Sequence, residues 1–207
     1  MKLSKRFLLA PLALAMAASA CTVPPPAASE KTIAQQLLSD TGDNAAGFDE
    51  EWYDFDIATQ AILLYPDLVA AASNPAAELT VFLPNDRAFQ ALVYSLTGNF
   101  VFDEQGVFDA VASLGLPTVK TVLTYHIVGS KIAASDALGA NGAELTTLQG
   151  GKVKVDVVNP DLSLIVLRDL DPNADDPGVV YSKFNYGGAL ANGYIHGISL
   201  VLRPADL

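Results

Sequence analysis

Apolar residues along this chain follow two periods, and the change falls near Gly129. Before it the spacing is helical. Ile33, Leu37 and Leu38 mark a short helix over residues 31–38. Phe55, Ala58, Ile62, Tyr65 and Val69 keep that spacing, but Pro66 interrupts it. The interruption predicts two consecutive helices, the second opened by Pro66 at its first position. Ser73-Asn74-Pro75 closes the pair. One strand follows, because Thr80, Val81 and Phe82 are β-formers and Pro84 cannot donate to a ladder. Asn85 or Asp86 can then accept a backbone N–H and start a helix, along which Phe89, Leu92, Val93 and Leu96 form one apolar stripe. Residues 97–106 read as a loop carrying Phe100 and Phe102, and Val107 to Leu114 as a short helix ended by Gly115. Pro117 starts a further helix, with Val119, Val122, Leu123 and His126 on its apolar stripe.

Beyond Gly129 the period moves toward two. Glu144 to Leu148 reads as a strand and Gly150-Gly151 as a hairpin turn. Val153, Val155 and Val157 alternate with Lys152, Lys154 and Asp156, the pattern of a half-buried strand. Leu162 to Leu167 is another strand, and Val179 to Ser182 a weak one. Tyr194, His196, Ile198, Leu200 and Leu202 share one parity of a last strand, stopped by Pro204. Helices come first and hairpins later, with a single strand in the first half. That order predicts an α+β domain rather than alternating βαβ units. There is no internal repeat at this length.

Composition narrows the function classes. The 207 residues leave room for one domain plus extras, and 51% hydrophobic against 17% charged residues excludes a disordered chain. The net charge is −11. Without Lys2, Lys5 and Arg6 it becomes −14, nine Lys+Arg against 23 Asp+Glu. So acidic a domain is a poor match for nucleic acid and is repelled by anionic lipid, whereas cations or basic partners suit it. The single cysteine, Cys21, excludes an intrachain disulfide. Two histidines, His126 and His196, leave the usual Cys/His zinc spacings unfilled.

The first 20 residues read as an export signal: a cationic start, an apolar run over Phe7 to Ala20, and small residues Ala18-Ser19-Ala20 before Cys21. The junction resembles a bacterial lipobox, in which Cys21 is lipidated and becomes the new N-terminus. Ala18 stands where that motif usually has an aliphatic residue. The alternative is ordinary cleavage after Ala20 and a secreted, soluble product. Pro24-Pro25-Pro26 suits a tether within residues 21–47, which holds the following domain, 48–207, off a membrane. Thr22 rather than Asp after the cysteine resembles the sorting signal for the outer membrane.

Three features carry candidate chemistry, each with a plainer alternative. His126 and His196 lie on stripes that face the core, where a neutral imidazole donates one ring N–H to a carbonyl and packs. A hydrolase would instead need them in a cleft with Ser or Asp, and there is no Gly-x-Ser-x-Gly elbow. Asp169, Asp171, Asn173 and Asp175 place oxygens at alternate positions, like the start of a calcium loop. Ala174 occupies the glycine position and Val180 that of the closing Glu, so the alternative is a solvated turn. Tyr181, Phe184, Tyr186 and Tyr194, with Gly187-Gly188 among them, form either an exposed ligand or glycan face or a cap on the core. No cofactor is expected.

Separated segments resemble one family. The stretch from Thr80 to Phe89, with Val81, Phe82, Pro84, Asn85 and Ala88, resembles the first motif of fasciclin (FAS1) domains. Tyr125-His126 resembles the family's central Tyr-His motif, and Thr147-Leu148-Gln149-Gly150 its Thr-Leu-x-Gly strand end. Asn192 to Pro204, with Gly193, Ile195 and His196, resembles its C-terminal motif. Ser199 replaces the usual acidic residue there, and 97–117 is longer than a compact member needs, so it reads as a possible insertion. The resemblance implies a wedge-shaped β-sandwich of short strands flanked by helices, with mainly structural roles for the motif residues. It also implies a non-enzymatic adhesion or interaction module. Its partner would be a protein or polysaccharide at the cell surface, and the bilayer would be reached through the N-terminal anchor. A small-ligand binder or enzyme using a pocket near His196 and Tyr194 is the alternative, and a structural envelope protein without a dedicated ligand is a third.

Overall fold

The computed structural model describes residues 30–39 and 47–205. The export signal, Cys21, the proline tether and most of the 41–47 linker lie outside the described residues. Helix α1 (Ile33–Leu38) is followed by α2 (Asp56–Leu63) and α3 (Pro66–Ser73), with Pro66 opening α3 as its fixed φ allows. Strand β1 (Leu79–Pro84) turns at once into α4 (Asp86–Thr97). Asn85 makes the turn: its side-chain oxygen accepts the Ala88 N–H at 2.9 Å. Gly98, at φ 70°, stops α4 in the left-handed conformation glycine adopts without strain.

Helix α5 (Glu104–Ala112) begins three residues earlier than the apolar pattern predicts, because Asp103 caps it through the Gly106 N–H. Helix α6 (Leu116–Tyr125) leads directly into β2 (Ile127–Val128). A short helix, α7 (Ala134–Leu138), stands where the change of period predicts strand or loop. The strands β3 (Glu144–Thr146), β4 (Lys152–Asn159) and β5 (Leu164–Arg168) form the hairpins, each edge strand shorter than expected. Val179 makes one bridge to Ile198, and the chain then enters a 3-10 turn at Tyr181–Lys183 rather than a strand. The last strand, β6, covers Gly193–Ile198 and stops short of Leu202.

Two three-stranded sheets result. The second, β3-β4-β5, is antiparallel, and the first has the order β2-β1-β6. In the first, β1 runs antiparallel to β2 but parallel to β6, pairing Phe82 with His196. The first sheet is the middle layer. Val81, Leu83 and Ile195 face a helical core with Ile57, Phe89 and Val122. Phe82 and Ile198 face the second sheet, against Val153, Val155, Ile165 and Leu167. Both faces of β1 and β6 are therefore buried, which corrects the one-parity reading of the last strand. Each such side chain withdrawn from water contributes about 1.5–3 kcal/mol.

Two boundaries move. Ile33 and Leu37 of α1 are buried in the helical core, and the Ala191 N–H donates to the Lys31 carbonyl. The folded unit thus reaches back to Lys31 instead of beginning at residue 48. Residues 97–117 are not decoration either, since Val107 and Val111 of α5 are core residues against α2 and α4.

Candidate functional site

The motifs at Thr80, Tyr125-His126 and Asn192 meet on the middle sheet. The Phe82 N–H donates to the His126 carbonyl at 2.9 Å, and Phe82 lies opposite His196 in register. His126 caps α6 and is 3% exposed. Its Nδ1 lies 2.8 Å from the Val122 carbonyl, while its Nε2 accepts the Leu202 N–H at 2.9 Å. These partners require a neutral ring protonated at Nδ1. Burial pushes the His126 pKa down to about 4, with the Val122 carbonyl opposing. His196 has the mirrored arrangement: Nε2 faces the Ile132 carbonyl at 2.8 Å and Nδ1 accepts the Asn185 N–H at 3.3 Å. Burial lowers its pKa as well. Both nitrogens of each ring are thus spent on backbone, and neither ring offers a free lone pair to a reacting group.

Other motif residues tie elements together. The Thr80 hydroxyl donates to the Ser130 carbonyl at 2.7 Å and accepts the Ile132 N–H at 2.9 Å. The Tyr125 hydroxyl donates to the Lys152 carbonyl at 2.7 Å, joining α6 to the second sheet. The Asn192 amide accepts the Ile33 N–H and donates to the carbonyls of Ala72 and Asn74, so one buried side chain joins α1, the end of α3 and β6. Gly193, at φ 154°, lies so close to β1 that a Cβ there would be 1.7 Å from the Leu79 carbonyl oxygen. Ala88 and Ile195 are fully buried, and Pro204 is half-buried at the chain end.

The aspartate loop turns its carboxylates onto its own frame. Asp169 accepts the N–H groups of Asp171 and Arg203, and Asp171 accepts that of Asn173. Asp171 also pairs with the Arg203 guanidinium at 3.4 Å. Among the described residues, the carboxylates that converge in threes do not include Asp169, Asp171 or Asp175. The C-terminal aromatics divide. Tyr186 packs edge-on against Phe55 and Tyr194 stacks parallel to His196, whereas Tyr181 is exposed beside Phe184. The space beside His196 is filled by Phe82, Ile132 and Phe184, leaving room for no more than about one water.

Two features lay outside the sequence-based site. The first is an acidic corner. Asp86, read from sequence as a possible cap of its own helix, instead caps α2: its two oxygens accept the N–H groups of Asp56 and Ile57. Glu104 Oε2 accepts those of Asp49 and Glu50. Oxygens of Asp54, Asp86 and Glu104 converge, as do those of Asp49, Asp54 and Asp56. Burial, then repulsion from Asp54, Asp49 and Glu104, pushes Asp56 up to about 7. Burial also raises Asp86 and Glu104. The run of acids over 49–56 is visible in the sequence, but its convergence with Asp86 and Glu104 is not.

The second is an aromatic patch at the end of α4. Phe100 lies 4.9 Å from Phe102 and 6.1 Å from Tyr94, ring centre to ring centre, with the Arg87 guanidinium 5.5 Å over the Phe100 ring. Phe102 is 78% exposed, and Tyr94 and Phe100 are also exposed. On another face of the helix, α4 and the aspartate loop bound an open cleft of about 430 Å³, lined by Ala88, Ser95, Asp175 and Arg203 among others.

Comparison with curated proteins returns no match. Among solved structures, the chain is similar to a FAS1 domain pair from the insect cell adhesion molecule fasciclin I, with 16% identity and a TM-score of 0.57. That match covers 84% of this chain and 51% of the other, so the chain spans about half the length of its structural neighbour. At this identity the likeness concerns the fold. The family model of the fasciclin domain matches residues 55–204, the span that holds the middle sheet, both histidines and the Asn192 clamp, and the chain belongs to the fasciclin domain family.

Proposed function

We propose that this chain is a surface interaction module that binds another macromolecule, and that it is a binding protein rather than an enzyme. Fasciclin domains are associated with adhesion and binding, and the structural neighbour is itself a cell adhesion molecule. The observation that carries the reading is the exposed cluster of Tyr94, Phe100 and Phe102 with Arg87 over one ring. Aromatic and arginine side chains supply most of the binding energy where proteins dock, because they bury large area with little lost freedom. The alternative site beside His196 lacks room for a ligand. A small ligand would have to use the cleft between α4 and the aspartate loop.

Crosslinking in intact cells, followed by recovery of the chain, tests this reading. The wild-type chain should capture a partner protein or polysaccharide. The triple variant Tyr94→Ser, Phe100→Ser, Phe102→Ser should lose most of that capture while keeping its circular dichroism. Equal capture by both would remove the patch from the binding site.

The reading includes an exported chain held at the cell envelope, at the outer membrane of a bacterium, through a lipid on Cys21. Its support is the cationic and apolar start, the small residues before Cys21 and the proline tether after it. Cys21→Ser should then move the protein from the membrane fraction to the soluble one. An unchanged distribution would refute the anchor and leave the patch hypothesis standing.

A further inference from the structure

Five carboxylates gather where the loop before α2, the β1–α4 corner and the start of α5 come together. Oxygens of Asp49, Asp54 and Asp56 lie within 4.8 Å of one another, and so do those of Asp54, Asp86 and Glu104. Asp54 belongs to both groups. Part of this acidity is spent on structure, since Asp86 caps α2 and Glu104 Oε2 holds the N–H groups of Asp49 and Glu50. So is part of the rest, since Asp49 Oδ1 accepts the Glu51 N–H and the Asp54 carboxyl shares a hydrogen bond with that of Asp86. Both oxygens of Asp56 and Oε1 of Glu104 have no hydrogen-bond partner, although the two residues are 1% and 0% exposed. The Asp49 N–H acts on Asp56 as a minor influence, but it is donated to Glu104 at 3.1 Å.

Buried carboxylate oxygens without donors are strongly unfavourable, and neighbouring carboxylates add repulsion. Among the described residues, no ion pair with Lys, Arg or His relieves Asp56, Asp86 or Glu104. A bound cation would relieve both costs at once.

We infer that this corner binds a calcium-type divalent cation, with Asp54 shared by the two groups and Asp56 and Glu104 supplying their unpartnered oxygens. The ligands are all oxygen, which selects a hard ion. Calcium takes oxygens at about 2.3–2.6 Å, so ligands on opposite sides of the ion stand about 5 Å apart. Within each group the oxygens lie no more than 4.8 Å apart, close enough to share one ion of that size. Magnesium needs a tighter octahedron and keeps several waters, which suits a carboxylate-crowded pocket less well. Asp49 is exposed and gives the ion its way in. Once bound, the ion ties the 49–54 loop, α2, α4 and α5 together.

The test uses the full chain, stripped of metal with EDTA, at neutral pH. Calcium at about 10 mM should raise the melting temperature by about 5–10 °C, the shift expected for a ligand near 100 times its Kd. Magnesium should raise it less. Asp56→Asn and Glu104→Gln keep side-chain shape while removing charge, so each should fold and each should lose most of the calcium rise. Isothermal titration should show calcium heat in the wild type and little in either variant. Absence of any rise in the wild type overturns the inference, as does a rise retained in both variants. If the rise instead vanishes in Asp175→Asn, the ion belongs to the 169–178 loop and the acidic corner is not its site.

Discussion

Phe89→Ala should lower the free energy of unfolding by about 3–5 kcal/mol, measured by urea denaturation. Phe89 is 3% exposed and sits on the first turn of α4, where the β1 strand has just turned a corner. With Ala61 of α2, Val111 of α5 and Val119, Val122 and Leu123 of α6, it lines a narrow gap in the helical core. Three other helices therefore converge on this one side chain of α4. Truncation removes the transfer energy of a phenyl ring and leaves a cavity among helices that are fixed elsewhere. Asn85 pins α4, Asp86 pins α2 and Tyr65 pins α6 through the Leu116 carbonyl, so collapse into the void is restricted. A loss below about 1 kcal/mol would mean that the ring is not a core element, and the corner would again be open to a binding role.

His126 should make the domain acid-sensitive. Its ring is neutral in the folded chain, with a pKa near 4, against 6.5 for the ordinary group. The unfolded chain takes up this proton first as pH falls. The His126 contribution is therefore whole above pH 6.5 and is lost progressively as pH falls toward 4. The span corresponds to roughly 3 kcal/mol. No charged side chain contributes to this shift, only burial and the Val122 carbonyl. The structural reason is the acceptor at Nε2: a proton there would displace the Leu202 N–H and leave a buried donor unpaired. Asp56, pushed up to about 7, acts in the opposite sense, since its folded form holds a proton that the unfolded form releases. The wild-type profile is thus a sum of opposed slopes. The stability difference between wild type and His126→Gln isolates the histidine. It should be largest at pH 7 and shrink by roughly 3 kcal/mol by pH 4. A difference that stays constant with pH would show that the ring is not buried in its neutral form.

The local punctuation of this chain was legible from sequence because it depends on neighbours. Pro66 opens α3 and Gly98 ends α4 through their own backbone limits, and Asn85 caps α4 through an N–H three residues on. The valines of β4 announce their alternation unaided. The local pattern misleads where a distant element overrules it. The shared parity of Tyr194, His196 and Ile198 predicts one buried face for the last strand. Parallel pairing with β1 sets it inside a middle layer, so Ile195 on the other parity is buried as deeply. Residues 97–117 look like a possible insertion in the sequence, yet α5 fills the core beside α2 and begins with the carboxylate that completes the acidic corner.

Sequence by itself determined the α+β class, the turn from β1 into α4, and the fasciclin motifs at Thr80, Tyr125-His126 and Asn192. Each rests on periodicity, capping or a short run of residues in fixed order. Tertiary structure alone decided that these motifs meet on one sheet, that both histidines are held neutral by backbone groups, and that Tyr94, Phe100 and Phe102 share a surface. It also decided the use of the acids. Asp54, Asp56 and Asp86 look like ordinary surface residues until β1 pairs with β6 and α5 packs on α2. Only chain closure excludes water from them, and the two unpartnered oxygens of Asp56 give the corner its demand for a cation or a proton.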